Sequence, residues 1–250
     1  MAIAHRIEPV AASHSATPPA TCDIAGVAAL LADPGRVAIL SAVLDGRSLP
    51  AGELARVASV SPATASTHLA KLVDGGLLVS ERHGRHRYFR LANASVAHAI
   101  ETLATVARPR VAGTAKEAYV VNGIRFARSC YDHLAGRLGV EVVEALVARD
   151  ALVHDERGFT PGRGAGEYLG ALGVDLDDVS ERARRSRRPL TRECLDWSER
   201  RVHLAGALGA ALLAALLERE WLARVPTGRA LRVTNEGRRG LRRTLGIVTG

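Results

Sequence analysis

Apolar residues recur every three or four positions along much of the chain, which is the spacing of helices with one buried face. A short helix is predicted in "CDIAGVAALLA". A second is predicted in "DPGRVAILSAVLDG", where Asp33 can cap the start and Gly46 can end the helix. The predicted inward stripe of this second helix consists of Val37, Leu40, Val43 and Leu44.

Two further helices, joined by a tight turn, are predicted next. The first covers about 50–58, with Leu54 and Val57 pointing inward. The second begins at Ser61-Pro62, a strong signal for a helix start. Its predicted buried side consists of Ala65, Leu69, Leu72 and Val73.

The opposite side of this fourth helix carries small polar side chains and no acid. A helix in the DNA major groove lies between phosphates, so acidic groups there would be repelled, whereas hydroxyls, imidazole and ammonium can contact bases or backbone. The alternative is a solvated surface helix that happens to lack acids. The candidate DNA-contacting residues are Thr64, Ser66, Thr67, His68 and Lys71.

A basic hairpin is predicted immediately afterwards, in "GLLVSERHGRHRYFRL". Its tip falls at His83-Gly84, where glycine permits the positive φ of a tight turn. Such a ribbon beside a groove-reading helix would follow the phosphates. The arginines concentrated on it are Arg82, Arg85, Arg87 and Arg90, and the candidate DNA contacts are Arg85, His86 and Arg87.

Residues 25–92 resemble the winged helix-turn-helix of ArsR/SmtB-type bacterial transcriptional regulators. The resemblance lies in "LADPGRVAIL", "ELARVASVSPATASTHLAKLVDGGLL" and "ERHGRHRYFRL". It implies a homodimer that binds double-stranded operator DNA, usually as a repressor that a signal releases. It also implies DNA contacts at the positions already named on the fourth helix and in the hairpin.

The chain departs from the metal-sensing members of that family. Their paired cysteines are missing from "AGELARVA", and only His98 and Glu101 stand where others carry several ligands. We therefore expect none of the family's metal sites and no cofactor. The segment 93–112 is predicted to be a dimerisation and linker helix whose apolar line is Val96, Ile100, Leu103 and Ala107.

Residues 113–250 contain an internal duplication. "HLAGRLG" recurs as "HLAGALG", and an apolar helix and a glycine-containing turn follow each copy. Two winged-helix-like repeats are predicted, at about 114–178 and 186–250. Their nearly all-apolar central helices suit a core and a pocket and do not suit base reading. The basic run at 182–192 fits either a DNA contact or a solvated linker.

A repeated Arg-x-Cys-x-Asp pattern in "RSCYDH" and "RECLDW" marks candidate effector residues. On a helix, Cys130 and His133 would face the same way. The functional interpretation is a thiol-based site for a soft metal or metalloid, or a redox pair. The alternative is two small buried cysteines with capping or ion-paired aspartates. The candidates are Cys130, Asp132, His133, Cys194, Asp196 and Trp197.

Basic residues outnumber acidic ones, which gives the chain a formal net charge of +8. A positive charge of this kind favours a polyanionic partner. Residues 1–21 are predicted to be a disordered tail without a signal peptide. The longest apolar run, 204–217, is too short to span a bilayer. We expect a cytoplasmic protein with reduced thiols, no membrane partner, and a small molecule or metal as its effector.

The predicted fold is mainly α with short β-hairpins. An N-terminal domain at 22–92 precedes the dimerisation helix and a duplicated C-terminal sensing domain at 113–250. The favoured function is a dimeric, signal-responsive DNA-binding repressor. The alternatives are an architectural DNA binder without a signal, and an enzyme with Cys130 as nucleophile, His133 as base and Asp132 as orienter. The enzyme is disfavoured because no oxyanion-hole or phosphate-cradling pattern accompanies the cysteine.

Overall fold

The computed structural model describes residues 22–84, 86–108, 113–225 and 228–249. Helices connected by short antiparallel strand pairs form most of these segments, which confirms the predicted fold class. Each half of the chain has its own hydrophobic core. The predicted tail at 1–21 lies outside the described residues, so that prediction is not tested.

The N-terminal domain is a winged helix. The strands form one three-stranded sheet in the order β1-β3-β2, and α3 and α4 pack together ahead of the wing hairpin β2–β3. The domain comprises α1 (Ile24–Leu31), α2 (Pro34–Ala42), β1 (Leu49–Pro50), α3 (Ala51–Val57), α4 (Pro62–Asp74), β2 (Leu78–His83) and β3 (His86–Leu91).

Helix starts in this domain follow the local sequence signals. The Asp33 side chain accepts a hydrogen bond from the Arg36 amide at the start of α2. The Ser61 hydroxyl accepts one from the Thr64 amide at the start of α4, over 3.1 Å. Each cap satisfies an amide that would otherwise lack a partner, and a proline occupies the next position. The fourth helix therefore begins where its sequence predicts.

Two predicted core positions in this domain are wrong. Val37 is 38% exposed and Val57 is 44% exposed, because Ile39 and Leu40 take the inward face of α2 and Ala55 takes that of α3 beside Leu54. Short helices have room for little more than one buried stripe. The end of α2 also differs: the helix stops at Ala42, so the buried Val43 and Leu44 follow it in the loop before Gly46.

The linker region contains α5 (Ala94–Val106), which Asn93 caps, and α6 (Ala115–Phe126). The inward face of α5 consists of Ala97, Glu101 and Thr105, while Leu103 and Val106 are exposed. The predicted apolar line of Val96, Ile100, Leu103 and Ala107 is wrong at its end, because α5 stops at Val106 and Ala107 has extended backbone. The role of this helix in dimerisation stays a prediction. Residues 109–112 lie outside the described part of the chain.

The C-terminal half shows the order hairpin, helix, hairpin, helix twice, which supports the interpretation as a duplication. The sequence predicted neither of the two hairpins that precede the long helices α7 and α10. The elements are β4 (Arg128–Cys130), β5 (His133–Ala135), α7 (Arg137–Val147), β6 (Leu152–Asp155), β7 (Gly158–Pro161), α8 (Ala165–Ala171), α9 (Leu176–Ser186), β8 (Arg192–Leu195), β9 (Val202–Ala205), α10 (Gly206–Glu218), β10 (Leu222–Arg224), β11 (Leu231–Val233) and α11 (Asn235–Leu245).

The recurring "HLAG-x-LG" segment joins a strand to each long helix. Gly136 and Gly206 have φ of 82° and 85°, the left-handed region that favours glycine. In the first turn of each helix, a Cβ on Gly139 or Gly209 would lie 2.7 or 2.3 Å from a carbonyl oxygen of the preceding strand. The repeated glycines therefore let each helix fold back tightly onto its own hairpin.

Within the described residues, no single helix combines the length and the apolar character needed to cross a bilayer; α1 and α2 reach that length together but meet at 90°.

Candidate functional site

The outward face of α4 is exposed and acid-free from Pro62 to Val73. Thr64, Ser66, Thr67 and Lys71 are all exposed. The Ser66 and Thr67 hydroxyls donate to helix carbonyls four residues earlier, over 2.9 and 3.2 Å, so their lone pairs and outer surfaces remain available to a ligand. This face can lie in the major groove without placing a carboxylate near phosphates.

His68, which the sequence places beside this face, is engaged with the protein itself. Its Nε2 lies 3.5 Å from Asp33 Oδ1, and its side chain is largely buried. A Cβ on Gly35 would come within 3.1 Å of the same nitrogen. The structure therefore uses His68 to hold α4 against the start of α2, and its contact with DNA stays a prediction.

The wing carries a pair of arginines directly opposite each other. Arg82 and Arg87 are cross-strand partners on β2 and β3, and both are exposed. The Arg87 guanidinium is held by a 2.9 Å hydrogen bond to the Ser80 hydroxyl and lies 5.6 Å from the centre of the Phe89 ring. Like charges facing each other across a hairpin repel, and an anion between them removes that repulsion. The opposed arginines of the wing are therefore suited to an anionic partner such as a phosphate chain, and their contact with DNA stays a prediction.

Of the remaining basic wing residues, Arg90 is paired with a carboxylate, Arg85 is not described, and His86 is exposed. Arg90 binds Glu81 over 2.9 Å, and this hydrogen bond lowers the pKa of Glu81. Arg85 lies outside the described residues. His86 is exposed near the hairpin tip, opposite His83. Arg82, which the sequence marked as basic without selecting it as a contact, joins Arg87 as the best-placed cation.

A second candidate site lies in the C-terminal half, where four buried side chains meet. Cys130 is the cross-strand partner of His133 on β4–β5, and Cys194 is that of His203 on β8–β9. One potential ligand atom from each lies within 4.8 Å of all the others. We call these four residues the Cys–His cluster. The prediction that Cys130 and His133 meet on a helix is wrong, because a two-residue turn at Tyr131 and Asp132 brings them together across a hairpin.

Each histidine of the cluster has a carboxylate on its Nδ1 side. Asp132 Oδ1 lies 3.3 Å from His133 Nδ1, and Asp196 Oδ2 lies 3.8 Å from His203 Nδ1. Burial lowers the pKa of His133, but the Asp132 carboxylate and the Cys130 thiol outweigh it and raise that pKa to about 9. Asp132 therefore orients the His133 imidazole, whereas Asp196 lies on the Nδ1 side of His203 without a hydrogen bond to it.

The two thiols of the cluster face each other over 3.9 Å between sulfur atoms. The hydrogen bond to Cys194 and burial raise the pKa of Cys130 to about 12, and the same hydrogen bond lowers the pKa of Cys194. The raised pKa favours the neutral thiol form of Cys130.

Arg128 links the cluster to α5. Its fully buried guanidinium donates to Asp196 over 3.0 Å and lies 3.7 Å from Glu101 of α5. Arg229 also binds Glu101. Trp197, a candidate effector residue, stacks on Arg128 at 4.7 Å from the ring centre and does not join the cluster.

A cavity of about 340 Å³ leads to the cluster from the α5 side. Its wall includes Cys130, His133 and Cys194 together with Ala97 and His98 of α5. His98 is exposed.

The basic run at 182–192 reaches the edge of this cavity through Arg188. Arg188 binds Asp132 over 2.7 Å and donates to the Gly206 carbonyl, so this residue packs against both repeats.

The sequence prediction did not select two side chains of these arrangements, His203 of the Cys–His cluster and Glu101 beside Arg128. His203 stands at the same position of "HLAG-x-LG" as His133, so the repeat itself carried the signal. Glu101 was considered as a ligand of the known family sites, but its contacts with Arg128 and Arg229 could not be seen in the sequence.

Comparisons with known proteins agree with a helix-turn-helix in the N-terminal half. A family profile described as "Helix-turn-helix domain" matches residues 31–81. The chain is 43% identical over 225 residues to YdfF, an uncharacterised HTH-type transcriptional regulator of Bacillus subtilis (strain 168), covering 90% of this chain and 98% of that protein. It is 40% identical over 76 residues to the HTH-type transcriptional regulator CmtR of Mycobacterium bovis, covering 30% and 64% of the two chains.

Two solved structures resemble the N-terminal part. One is the homodimeric winged helix-turn-helix DNA-binding domain of Mb0332 from Mycobacterium bovis, a possible ArsR-family regulator, with 30% identity, 33% and 76% of the chains covered and a TM-score of 0.31. The other is the cadmium sensor CmtR from Mycobacterium tuberculosis, with 33% identity, 36% and 100% covered and a TM-score of 0.30.

Proposed function

The chain belongs to the HTH-type transcriptional regulators, with an ArsR/SmtB-type winged helix-turn-helix, and from this premise we propose that it represses transcription as an operator-bound homodimer. It is a DNA-binding regulator, and the proposal concerns how it binds and what releases it. The observation that supports it best is the acid-free face of α4 beside the opposed Arg82 and Arg87 of the wing.

In the proposed complex, α4 enters the major groove and the wing follows the adjacent backbone. Thr64, Ser66, Thr67 and Lys71 contact base edges, while Arg87 contacts phosphates. His86 and the undescribed Arg85 stay predicted wing contacts. His68 acts by fixing the position of α4 through Asp33.

A second copy of the chain is the proposed partner of an unpaired apolar surface. Every residue of α1 is at least partly exposed, although the helix is almost entirely apolar. Large exposed apolar side chains also lie on α5 and α6. An apolar surface of this kind is stabilised by association, and a two-fold dimer presents two recognition helices to two half-sites. The residues concerned are Ile24, Val27, Leu103, Val106, Tyr119 and Val120.

The C-terminal half is the proposed sensing part, and its signal reaches the DNA-binding part through α5. This helix packs against β3 of the wing and against β8 of the second repeat. A ligand at the cavity beside α5 would favour one position of the helix, and thereby one spacing of the two recognition helices. An enzymatic role is not proposed, because the Cys130 thiol is buried and its raised pKa disfavours a nucleophilic thiolate.

The test is selection of genomic fragments by the full-length protein, followed by competition against random duplex. We expect one short inverted repeat to compete far better than random DNA, with affinity falling steeply as salt rises, by a log–log slope of about −0.9 per phosphate contact. Equal competition by operator and random duplex would reject the proposal in favour of an architectural DNA binder.

A further inference from the structure

The Cys–His cluster has the composition of a closed metal site. Two sulfurs and two imidazole nitrogens are the set that tetrahedral zinc-class cations take in proteins. Each of the four side chains is at least 97% buried, so the site is screened from water. The ligands come in two cross-strand Cys–His pairs, one from each repeat, which fixes them on four strand positions instead of on flexible loops.

The spacing of the two sulfurs suits one shared cation. Two thiolates bound to a tetrahedral zinc at 2.3 Å each lie about 3.8 Å apart. The Sγ atoms of Cys130 and Cys194 are 3.9 Å apart. The cluster therefore needs no rearrangement of its hairpins to accept a cation between the sulfurs.

The imidazoles present nitrogen atoms that lack partners. Among the described residues, Nε2 of His133 and both ring nitrogens of His203 are buried without a hydrogen bond. An unpaired buried polar atom costs about 1–3 kcal/mol. A cation bound to the two Nε2 atoms removes this cost at both of them, while Asp132 contacts Nδ1 of His133 and Asp196 lies 3.8 Å from Nδ1 of His203. That carboxylate–histidine–metal arrangement is the usual support of a zinc-bound histidine.

We propose that the Cys–His cluster binds one zinc-class divalent cation per chain and thereby ties the two C-terminal repeats together. Binding releases to solvent the two thiol protons and, where the His133 imidazole is charged, its Nε2 proton, so two thiolates balance the 2+ charge and the four ligands with the cation are neutral. The sequence offered a soft-metal site on the two cysteines as one interpretation beside a redox pair and buried structural cysteines, and it did not select His203 as a ligand.

The cation has a path into the site. The cavity beside α5 reaches both cysteines and His133, and its wall also carries Asp132. Since α5 is linked to Asp196 by Arg128 and Glu101, an occupied site holds that helix against both hairpins. This last consequence depends on the proposed function, whereas metal binding itself does not.

The experiment uses the reduced full-length protein, stripped of metal by a chelator and titrated with Co²⁺ as a spectroscopic probe. We expect saturation at one cobalt per chain, with intense tetrahedral ligand-field bands and a sulfur-to-cobalt charge-transfer band, and displacement by Zn²⁺. The variants Cys130→Ser, Cys194→Ser and His203→Asn should each weaken cobalt binding at least about 100-fold, the upper end of the effect of losing a supporting group.

Matched controls are Cys22→Ser and His83→Asn, because both side chains are exposed and lie outside the cluster. Both should bind cobalt as the parent protein does.

The titration of the parent protein tests metal binding even where a variant of the cluster fails to fold. If all three cysteines titrate as free thiols and no charge-transfer band appears, the proposal is overturned. It is also overturned if Cys22→Ser abolishes the band. DNA binding is measured separately, so loss of the metal site leaves the proposed function standing.

Discussion

The guanidinium of Arg128 donates a hydrogen bond over 3.0 Å to the carboxylate of Asp196, and both side chains are completely buried. The carboxylate also accepts from the Gly136 amide over 2.6 Å, and Ser198 binds its other oxygen. Burial by itself raises the pKa of Asp196, but the Arg128 charge and these hydrogen bonds lower it well below its usual range. A buried ion pair thus lies between the two repeats.

Removing one partner of this pair should destabilise the protein strongly. Arg128→Met leaves the buried Asp196 carboxylate without its cation, which costs about 3–5 kcal/mol. Urea unfolding of the metal-free protein measures the change. The control is Arg182→Ala, which breaks an exposed pair with Asp178 on α9 and should cost less than about 1 kcal/mol. Equal effects at the two sites would contradict the assignment.

The opposed wing arginines should affect stability and DNA affinity in opposite directions. Arg82→Ala removes a like-charge repulsion while leaving the Arg87–Ser80 hydrogen bond in place, which should stabilise the free protein by roughly 0.2–1 kcal/mol. The same change should weaken binding to operator and random duplex alike and reduce the salt slope by about 0.9 per lost contact. Unfolding curves and salt titrations provide the two measurements.

Arg163→Ala is the charge-matched control for the wing. This side chain is 97% exposed in the C-terminal half and binds Asp150. Its loss should leave the salt slope unchanged. A slope that falls equally in this variant would mean that net charge, and not the wing, determines the binding.

The apolar residues of α1 and α5 should be required for dimerisation. Ile24 is 76% exposed and Val106 is 78% exposed in the single chain, so a glutamate at either position is tolerated in a monomer and repelled from a dimer interface. Sedimentation should show the mass of one chain for Ile24→Glu or Val106→Glu. Operator affinity should fall more than about tenfold, equivalent to 1.4 kcal/mol. Val153→Glu, at a 40% exposed position on β6, should remain a dimer.

The glycines of "HLAG-x-LG" should not accept even a methyl group. A Cβ on Gly209 would lie 2.3 Å from the Leu204 carbonyl oxygen, so Gly209→Ala should cost about 1–3 kcal/mol in urea unfolding. Gly166 is the control, because nothing lies within 4 Å of its Cβ position in α8. Gly166→Ala should stabilise the protein by about 0.5–1 kcal/mol. A neutral result at Gly209 would contradict the packing described.

The N-terminal domain could be predicted because its signals are local. Two helix starts are each fixed by a cap and a proline, Asp33 with Pro34 and Ser61 with Pro62. The turn of the wing is indicated by Gly84, whose φ is positive. The exposed face of α4 follows directly from helical spacing. The errors in this domain concern which side chains of the short helices are buried. A shift of the predicted buried stripe by one residue is enough to place an exposed side chain in the core.

The Cys–His cluster could not be assembled from the sequence for two reasons. The strands that carry it are three or four residues long, too short for an alternating pattern to separate them from a helix. The decisive contact joins Cys130 to Cys194, which are 64 positions apart in different repeats. The sequence shows that the Arg-x-Cys-x-Asp pattern occurs twice. Only the structure shows that β5 packs against β9 and so brings the two occurrences together.

Arg128 is shared by two carboxylates, Glu101 in the helix that leaves the DNA-binding domain and Asp196 in the second repeat. Modular proteins are usually divided at linkers, where few bonds cross. Here a cut after α5 would leave the buried Glu101 without its counter-ions Arg128 and Arg229. A protein that exchanged its C-terminal half for another would therefore have to supply a matching cation for Glu101.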